Sequence, residues 1–358
     1  MTVGVVALVI GGVAVAAVTT IGDAASVDEV AVRLDPGGVP VGGSDPLPPE
    51  TQLVDTSRPD VVVGSGTPAS CTSAAVVAAV AQGGIITFDC GPDPITISMH
   101  ATAKVVNTSP VVVLDGGGLV TLSGAGQRRI FYMNTCDPAQ VWTTSHCQDQ
   151  DHPRLTIQRL SFSGGDSTGE TMEGGGGGAV FVRGGTVRVL DSHFADNRCD
   201  ASGPDVGGAA LRVLSQSGGR PVVVAGSTFR DNRCSNGPAL SSIGVSWRVY
   251  RSEFTGNRAI GIGANPARPG TPGGGNGGAI ALDGNLFTLD LIDSVLRDNV
   301  ANEGGGAIFF VSNNRTGELR IDGSMLDGNP SLGFETRGYP GIFFLGRGSP
   351  QVTDSVIR

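Results

Sequence analysis

The phrase FADNRC occupies residues 194–199, and two near copies follow, FRDNRC at 229–234 and FTGNRA at 254–259. The common element is an apolar residue with asparagine three positions later. It recurs as Phe194 and Asn197, Phe229 and Asn232, Phe254 and Asn257, Leu296 and Asn299, and Leu326 and Asn329, at intervals of 35, 25, 42 and 30 residues. A second phrase alternates with it: Gly178-Ala179-Val180, Gly208-Ala209-Ala210, Gly278-Ala279-Ile280 and Gly306-Ala307-Ile308, with weaker copies at Pro238-Ala239-Leu240 and Gly341-Ile342. Uneven spacing excludes a helical-pair solenoid of fixed period. It suits a solenoid of strands, whose loops bulge outward from a constant coil.

In such a solenoid, strands of successive coils lie parallel and about 4.8 Å apart. A residue type repeated at one coil position then stacks on itself. The Phe/Leu position predicts an internal apolar column. Asn197, Asn232, Asn257, Asn299 and Asn329 are expected at a turn, where asparagine tolerates left-handed backbone angles. Their amides can bond to the copies above and below as a ladder. Glycine ahead of the inward alanine permits a bend and close packing of coils. The predicted fold is all-β, a parallel β-helix.

Composition agrees: 57 glycines and 21 prolines accompany 39% hydrophobic residues, which reads as many short strands broken by turns. The net charge is −9, Lys104 is the only lysine, and no arginine cluster forms a phosphate-binding surface, so nucleic acid is not an expected partner. Six cysteines fall into three apparent pairs: Cys71 with Cys90, Cys136 with Cys147, and Cys199 with Cys234. None has CxxC spacing, so disulfides in an oxidising compartment are expected rather than zinc. Cys71 would staple the predicted first helix to the first strand through Cys90. Cys199 and Cys234 hold the same position in two successive phrases, which places them on adjacent coils.

Residues 1–25 begin with an uncharged apolar run and read as an export signal or an uncleaved membrane anchor. Residues 26–70, rich in proline and glycine, read as an extended linker, and 71–358 as the β-helix. A short helix is predicted at its start, capped by Thr72 or Ser73, filled by AAVVAAVA and stopped by Gly83 or Gly84. The final VTDSVIR matches the start of LIDSVLRDN at 291–299 without its asparagine, so the expectation is a fragment of a longer protein.

The two phrases resemble the GGA[I/V/L] and FxxN repeats of the polymorphic outer membrane proteins. The front end, CTSAAVVAAVAQGGIITFDC followed by VVLDGGGLVTLSG, is similar to secreted bacterial proteins of the pectate-lyase-like superfold. The resemblance covers residues 71–358 and implies a right-handed parallel β-helix. It implies no single activity, since the superfold hosts lyases, hydrolases, adhesins and stalks. Lyases of this fold would set carboxylates around calcium beside a base, and hydrolases would cluster aspartates near Gly-His-Gly. The chain has no Gly-His-Gly, Asp-Asp or Trp-x-Asp-His, and no residue is assigned a catalytic role. The expected function is an exported or cell-surface module, non-catalytic, in adhesion, glycan binding or structure. The alternative is a lyase or hydrolase of acidic polysaccharide, with calcium as its cofactor if a lyase.

Candidate binding residues lie in TCDPAQVWTTSHCQDQDH, which carries Trp142, His146, Asp149, Asp151 and His152 around two cysteines. A tryptophan can stack on a sugar ring and carboxylates can hold calcium; the competing reading is a disulfide-closed surface loop. Asp166, Glu170 and Glu173 in the acidic loop GGDSTGETMEGGGGG could bind a cation or simply be solvated. Arg198, Arg233 and Arg258 each follow a ladder asparagine and form either an anion-binding strip or a solvated rim, offset by Asp196 and Asp231. His100 and His193 read as surface or turn residues.

Overall fold

The computed structural model describes residues 46–358, so the segment read as signal or anchor and the first part of the linker lie outside the described residues. The chain visits three parallel sheets in turn. Sheet I has ten strands, from Val61–Gly64 to Gln351–Thr353; sheet II has nine, from Ile95–Ser98 to Val356–Ile357; sheet III has eight, from Ala103–Lys104 to Ile342–Leu345. A smaller sheet of three strands, Arg233–Cys234, Arg258–Ala259 and Val300–Ala301, is inserted between II and III. This is a parallel β-helix.

The column forms as the repeat requires. Phe162, Phe194, Phe229 and Phe254 occupy one register position and stack at 5.0, 4.9 and 4.9 Å, and Leu296 and Leu326 continue the row. Three residues on, Asn197, Asn232, Asn257, Asn299 and Asn329 are buried. Each of the first four donates Nδ2–H to the Oδ1 of the next at 2.9 Å, and that Oδ1 also accepts the donor residue's own backbone N–H at 3.1 Å. Every interior amide therefore satisfies both its coil and the neighbouring one. We expect Asn257→Ala to destabilise the protein by about 1–3 kcal/mol through partners left unmatched in the core. Asn285→Ala, at an exposed position, should leave the urea midpoint unchanged.

Three expectations are corrected. The left-handed residue is not the asparagine but the one before it: Asp196, Asp231, Gly256, Asp298 and Gly328 have φ between 55° and 68°. That residue turns the chain, leaving the asparagine free to point inward. The phrase Gly208-Ala209-Ala210 is also out of register by one, since Val180 pairs with Leu211 and Leu211 with Leu240. The inward alanines are Ala179, Ala210, Ala239, Ala279 and Ala307. The third correction concerns the linker.

Residues 47–60 are not free linker but a strap along the outer face of sheet I. Leu47 packs on Leu190, Val223, Ala225 and Tyr250. Glu50 meets the Arg248 guanidinium at 2.9 Å, and its carbonyl accepts from Arg188 at 3.2 Å. The Val54 N–H and C=O pair with the Gln158 amide at 2.9 and 3.0 Å, as another strand would. Thr56 donates to Asp115 at 2.7 Å, and Val61–Gly64 then joins the sheet beside Gly84–Asp89. Proline-rich backbone carries no helix or strand period, yet its extended form suits this role; Pro48 has φ −64° and ψ 156°.

Burial pushes the Asp115 carboxyl up, but hydrogen bonds from Arg159, Thr56, Gln158 and the Gly117 N–H outweigh it and leave it below the ordinary carboxylate value. A depressed carboxylate stabilises the fold fully above its unfolded value, about 4. That contribution is lost as pH falls through the lower folded value. As pH falls below about 4 the melting temperature should therefore drop more steeply in the parent protein than in Asp115→Asn.

The helix Ser73–Gln82 closes the first coil. Thr72 Oγ1 accepts the Ala75 N–H at 3.2 Å, Gly83 ends the helix at φ 76°, and Val76, Ala79 and Val80 cover the core. All three expected cysteine pairings are present. Cys71, just before the helix, is bonded to Cys90, just after the strand Gly84–Asp89, with Cα atoms 5.7 Å apart. Cys136 is bonded to Cys147 across a loop between sheets III and I, at 4.9 Å. Cys199 is bonded to Cys234 between adjacent coils, at 4.8 Å. Among the described residues no helix is long and apolar enough to cross a membrane.

Candidate functional site

The loop closed by the bond between Cys136 and Cys147 brings together only part of the set read from sequence. The Trp142 ring stacks on His152 with centroids 6.0 Å apart, and His152 Nδ1 lies 2.8 Å from Asp151. Asp149 instead turns to the Gly218 N–H at 2.6 Å, and His146 stands apart, exposed. Asp151 also meets Arg154 at 3.3 Å. The carboxylates are thus spent on separate partners. The six cysteines, Cys71, Cys90, Cys136, Cys147, Cys199 and Cys234, are all consumed in disulfides and offer no thiolate for chemistry or metal. Among the described residues no group of three or more His, Cys, Asp or Glu side chains could hold a metal ion.

The acidic loop and the arginine strip behave similarly. Asp166 pairs with Arg198 at 2.8 Å, Glu170 faces Arg129 at 3.8 Å, and Glu173 pairs with Arg183. Asp231 lies 3.6 Å from Arg230, not against Arg233. The partner of Arg198 is therefore an acid from the preceding coil rather than the nearby Asp196, because stacking, not sequence distance, decides the neighbours. His193 Nδ1 sits 2.8 Å from Thr228 on the outer face of sheet II, and the His100 N–H donates to Ser73.

The densest convergence of chemistry lies elsewhere, on the outer face of sheet III. Strand alternation that points Phe131, Val180 and Leu211 inward points Tyr132, Phe181 and Arg212 outward. Register aligns Lys104, Tyr132, Phe181, Arg212 and Ser241 in one row. Tyr132 and Phe181 stack at 5.5 Å, the Arg129 guanidinium lies 5.6 and 5.0 Å from their centroids, and the Lys104 ammonium is 5.6 Å from the Tyr132 ring. Both rings are buried although they face outward, because loops returning from sheet II fold over them.

These residues open into a cleft of about 100 Å³ lined by Thr102, Lys104, Arg129, Tyr132, Asp137, Glu170 and Met172. The Tyr132 hydroxyl donates to Asp137 Oδ2 at 3.1 Å and accepts from Asn134 at 2.9 Å. Burial, reinforced by the Asp137 charge, pushes the Tyr132 phenol up to about 12, so at neutral pH it is a proton donor and not a base. Gln140 also donates to Asp137, at 3.1 Å. Asp137 is thereby fixed by the start of the disulfide loop. The cleft offers two cations, the fixed Asp137 carboxylate and the half-exposed Glu170, a pattern suited to gripping a polar, negatively charged ring.

Sequence reading singles out neither Lys104, Arg129 and Tyr132 nor Asp137 as site residues. The available signal is the uniqueness of Lys104 and the aromatic Tyr132 at an outward position of FYMN.

Comparison with known proteins returns no match, whether with a family model, a curated protein or a solved structure.

Proposed function

We propose that this chain is an exported, cell-surface β-helix module that binds an acidic glycan in the cleft over the first coils of sheet III. The observation that carries the reading is the meeting of Lys104 and Arg129 above the Tyr132–Phe181 stack. Ammonium and guanidinium groups can take a sugar carboxylate, with hydrogen-bonding groups beside them for hydroxyls. Three disulfides support an oxidising location. The likeness of the repeats to those of polymorphic outer membrane proteins supports placement at a bacterial surface.

A lyase or hydrolase is the second reading, because Lys104, Asp137 and Glu170 line the same cleft. Calorimetric titration with oligomers of galacturonate, alginate and neutral dextran tests the first. Binding confined to the acidic oligomers is expected. Lys104→Ala should weaken it about tenfold, the equivalent of one charge-assisted contact of roughly 1.4 kcal/mol. Equal binding of dextran, or no effect of Lys104→Ala, contradicts the assignment. Absorbance at about 235 nm, with and without calcium, reports the unsaturated product of elimination. A sustained rise would replace the binding reading with a lyase.

A further inference from the structure

Two arginines beneath the acidic loop lack the partners that buried cations ordinarily have. Arg212 is 1% exposed. Its Nη1 donates to Ser241 at 3.1 Å and its Nη2 to the Asp205 carbonyl at 2.5 Å, while its Nε has no hydrogen-bond partner among the described residues. Among the described residues no carboxylate lies within ion-pair distance of it, and burial pulls its pKa down to about 10. Arg129, 5% exposed, donates Nε and Nη2 to the carbonyls of Gly177 and Gly176 at 3.0 and 2.8 Å. Its nearest acid, Glu170, is half exposed and stands off at 3.8 Å. Buried guanidinium groups held mainly by carbonyls are expensive unless something else uses their charge.

The acidic loop covers Arg129, and together with the segment around residues 205–208 it covers Arg212. The loop ends in the run Gly174–Gly178, and its backbone presses directly on Arg212: a Cβ on Gly176 would lie 2.5 Å from the Arg212 Cδ and 2.1 Å from the Gly207 carbonyl. Only glycine fits there. The loop's carboxylates are set against cations of the sheet, Glu170 against Arg129 and Glu173 against Arg183, with Asn134 donating to Glu173 at 3.4 Å. Met172 touches the Tyr132 hydroxyl at 3.1 Å, although its side chain is largely exposed. Thus one glycine-flanked segment supplies Met172 and Glu170 to the cleft, whose other anion, Asp137, comes from the disulfide loop.

We propose that residues 166–177 form a self-inhibitory lid, in which Glu170 and Glu173 occupy the seats that carboxylates of the glycan take. This rests on the glycan-binding reading above. An arriving acidic oligomer displaces Glu170 from Arg129 and Glu173 from Arg183. The lid then swings on its glycines and uncovers Arg129 and the side of Arg212 that Gly176 covers, extending the cleft along the sheet III row from Lys104 towards Arg212. The ligand that fits is a carboxylate-bearing oligosaccharide of more than one charged unit, since Lys104, Arg129, Arg183 and Arg212 lie on or beside successive strands of sheet III.

The test compares the parent protein with Glu170→Gln/Glu173→Gln by titration with a galacturonate oligomer and an alginate oligomer. Both substitutions are on the loop and keep its shape. The double variant should bind the acidic oligomers about tenfold more tightly, the gain expected when the open fraction rises from roughly a tenth to nearly all. In the parent protein, hydrogen exchange at Gly174–Gly177 should quicken when oligomer is added. Unchanged affinity in the double variant, with Lys104→Ala still weakening binding, would overturn the lid and leave the glycan reading intact. Slower exchange of the glycine run on binding would also overturn it. Failure of every acidic oligomer to bind either protein would overturn both.

Discussion

Phe229→Ala should lower the unfolding free energy by about 3–5 kcal/mol, the range for deleting a phenyl ring from a packed core. The ring is fully buried and lies between Phe194 and Phe254, 4.9 Å from each. Its loss removes two stacking contacts at once and leaves a void that neighbouring coils cannot close, because their backbone spacing is fixed by the parallel hydrogen bonds. In a solenoid, stability is a sum over coils and their interfaces. Damage in the middle therefore weakens the coupling of the two halves as well. Urea denaturation followed by circular dichroism should show a lower midpoint, with the transition broadened or split. Phe343→Ala, on the outer face of sheet III and only partly buried, should cost well under half as much. Equal losses at the two sites would mean that the Phe column is not the core.

Cys199→Ser/Cys234→Ser should be nearly as severe, at about 3–4 kcal/mol in the chain-entropy account of a crosslink. The bridge joins equivalent positions of adjacent coils, 35 residues apart in sequence and 4.8 Å apart at Cα. Because the coils already stack at this spacing, the crosslink acts mainly by restricting the unfolded chain. The melting temperature should fall by something of order 5–10 °C. The double serine variant should retain the circular dichroism spectrum of the parent, since ladder and column are untouched. Loss of the folded spectrum at 25 °C would show that the bridge directs the register rather than securing it.

Much of the interior is legible because the interior repeats. The Phe/Leu column and the asparagine ladder follow from residue types that recur at one coil position, and so does the bond between Cys199 and Cys234. The pairing of Cys71 with Cys90 and of Cys136 with Cys147 follows instead from nearness in sequence. A second internal ladder is equally present but less conspicuous. Ser192, Ser227, Ser252, Ser294, Ser324 and Ser355 each precede the column residue by two positions. The backbone N–H of each of the first five donates to the next serine Oγ, at 2.9 to 3.2 Å. Serine is common in turns, so its recurrence stands out less than the rarer Phe-x-x-Asn.

The exterior is not legible for a different reason. Lys104, Tyr132, Phe181 and Arg212 share a row only because loops of unequal length return the chain to the same edge, and the row has no repeating residue type. Its burial depends on those loops, whose paths carry no period. The strap at 47–60 is hidden similarly, since it docks through Leu47, Glu50, Val54 and Thr56 one at a time. Trp142 stands out as a rare aromatic, but it spends one face on His152.

Register is the claim on which ladder, column and cleft all depend, and paired cysteines measure it most directly. Arg230, Thr255 and Arg297 align on three consecutive strands of sheet II, facing outward. Neighbouring strands place Cα atoms about 4.8 Å apart, within disulfide range, and alternate strands about 9.6 Å apart, beyond it. Oxidation of Arg230→Cys/Thr255→Cys and of Thr255→Cys/Arg297→Cys, followed by peptide mapping, should give the engineered bridge in each with the three native bridges intact. Arg230→Cys/Arg297→Cys should leave both thiols free. Free thiols in the two adjacent pairs, or a bridge between 230 and 297, would contradict the stacked register and with it the site built on it.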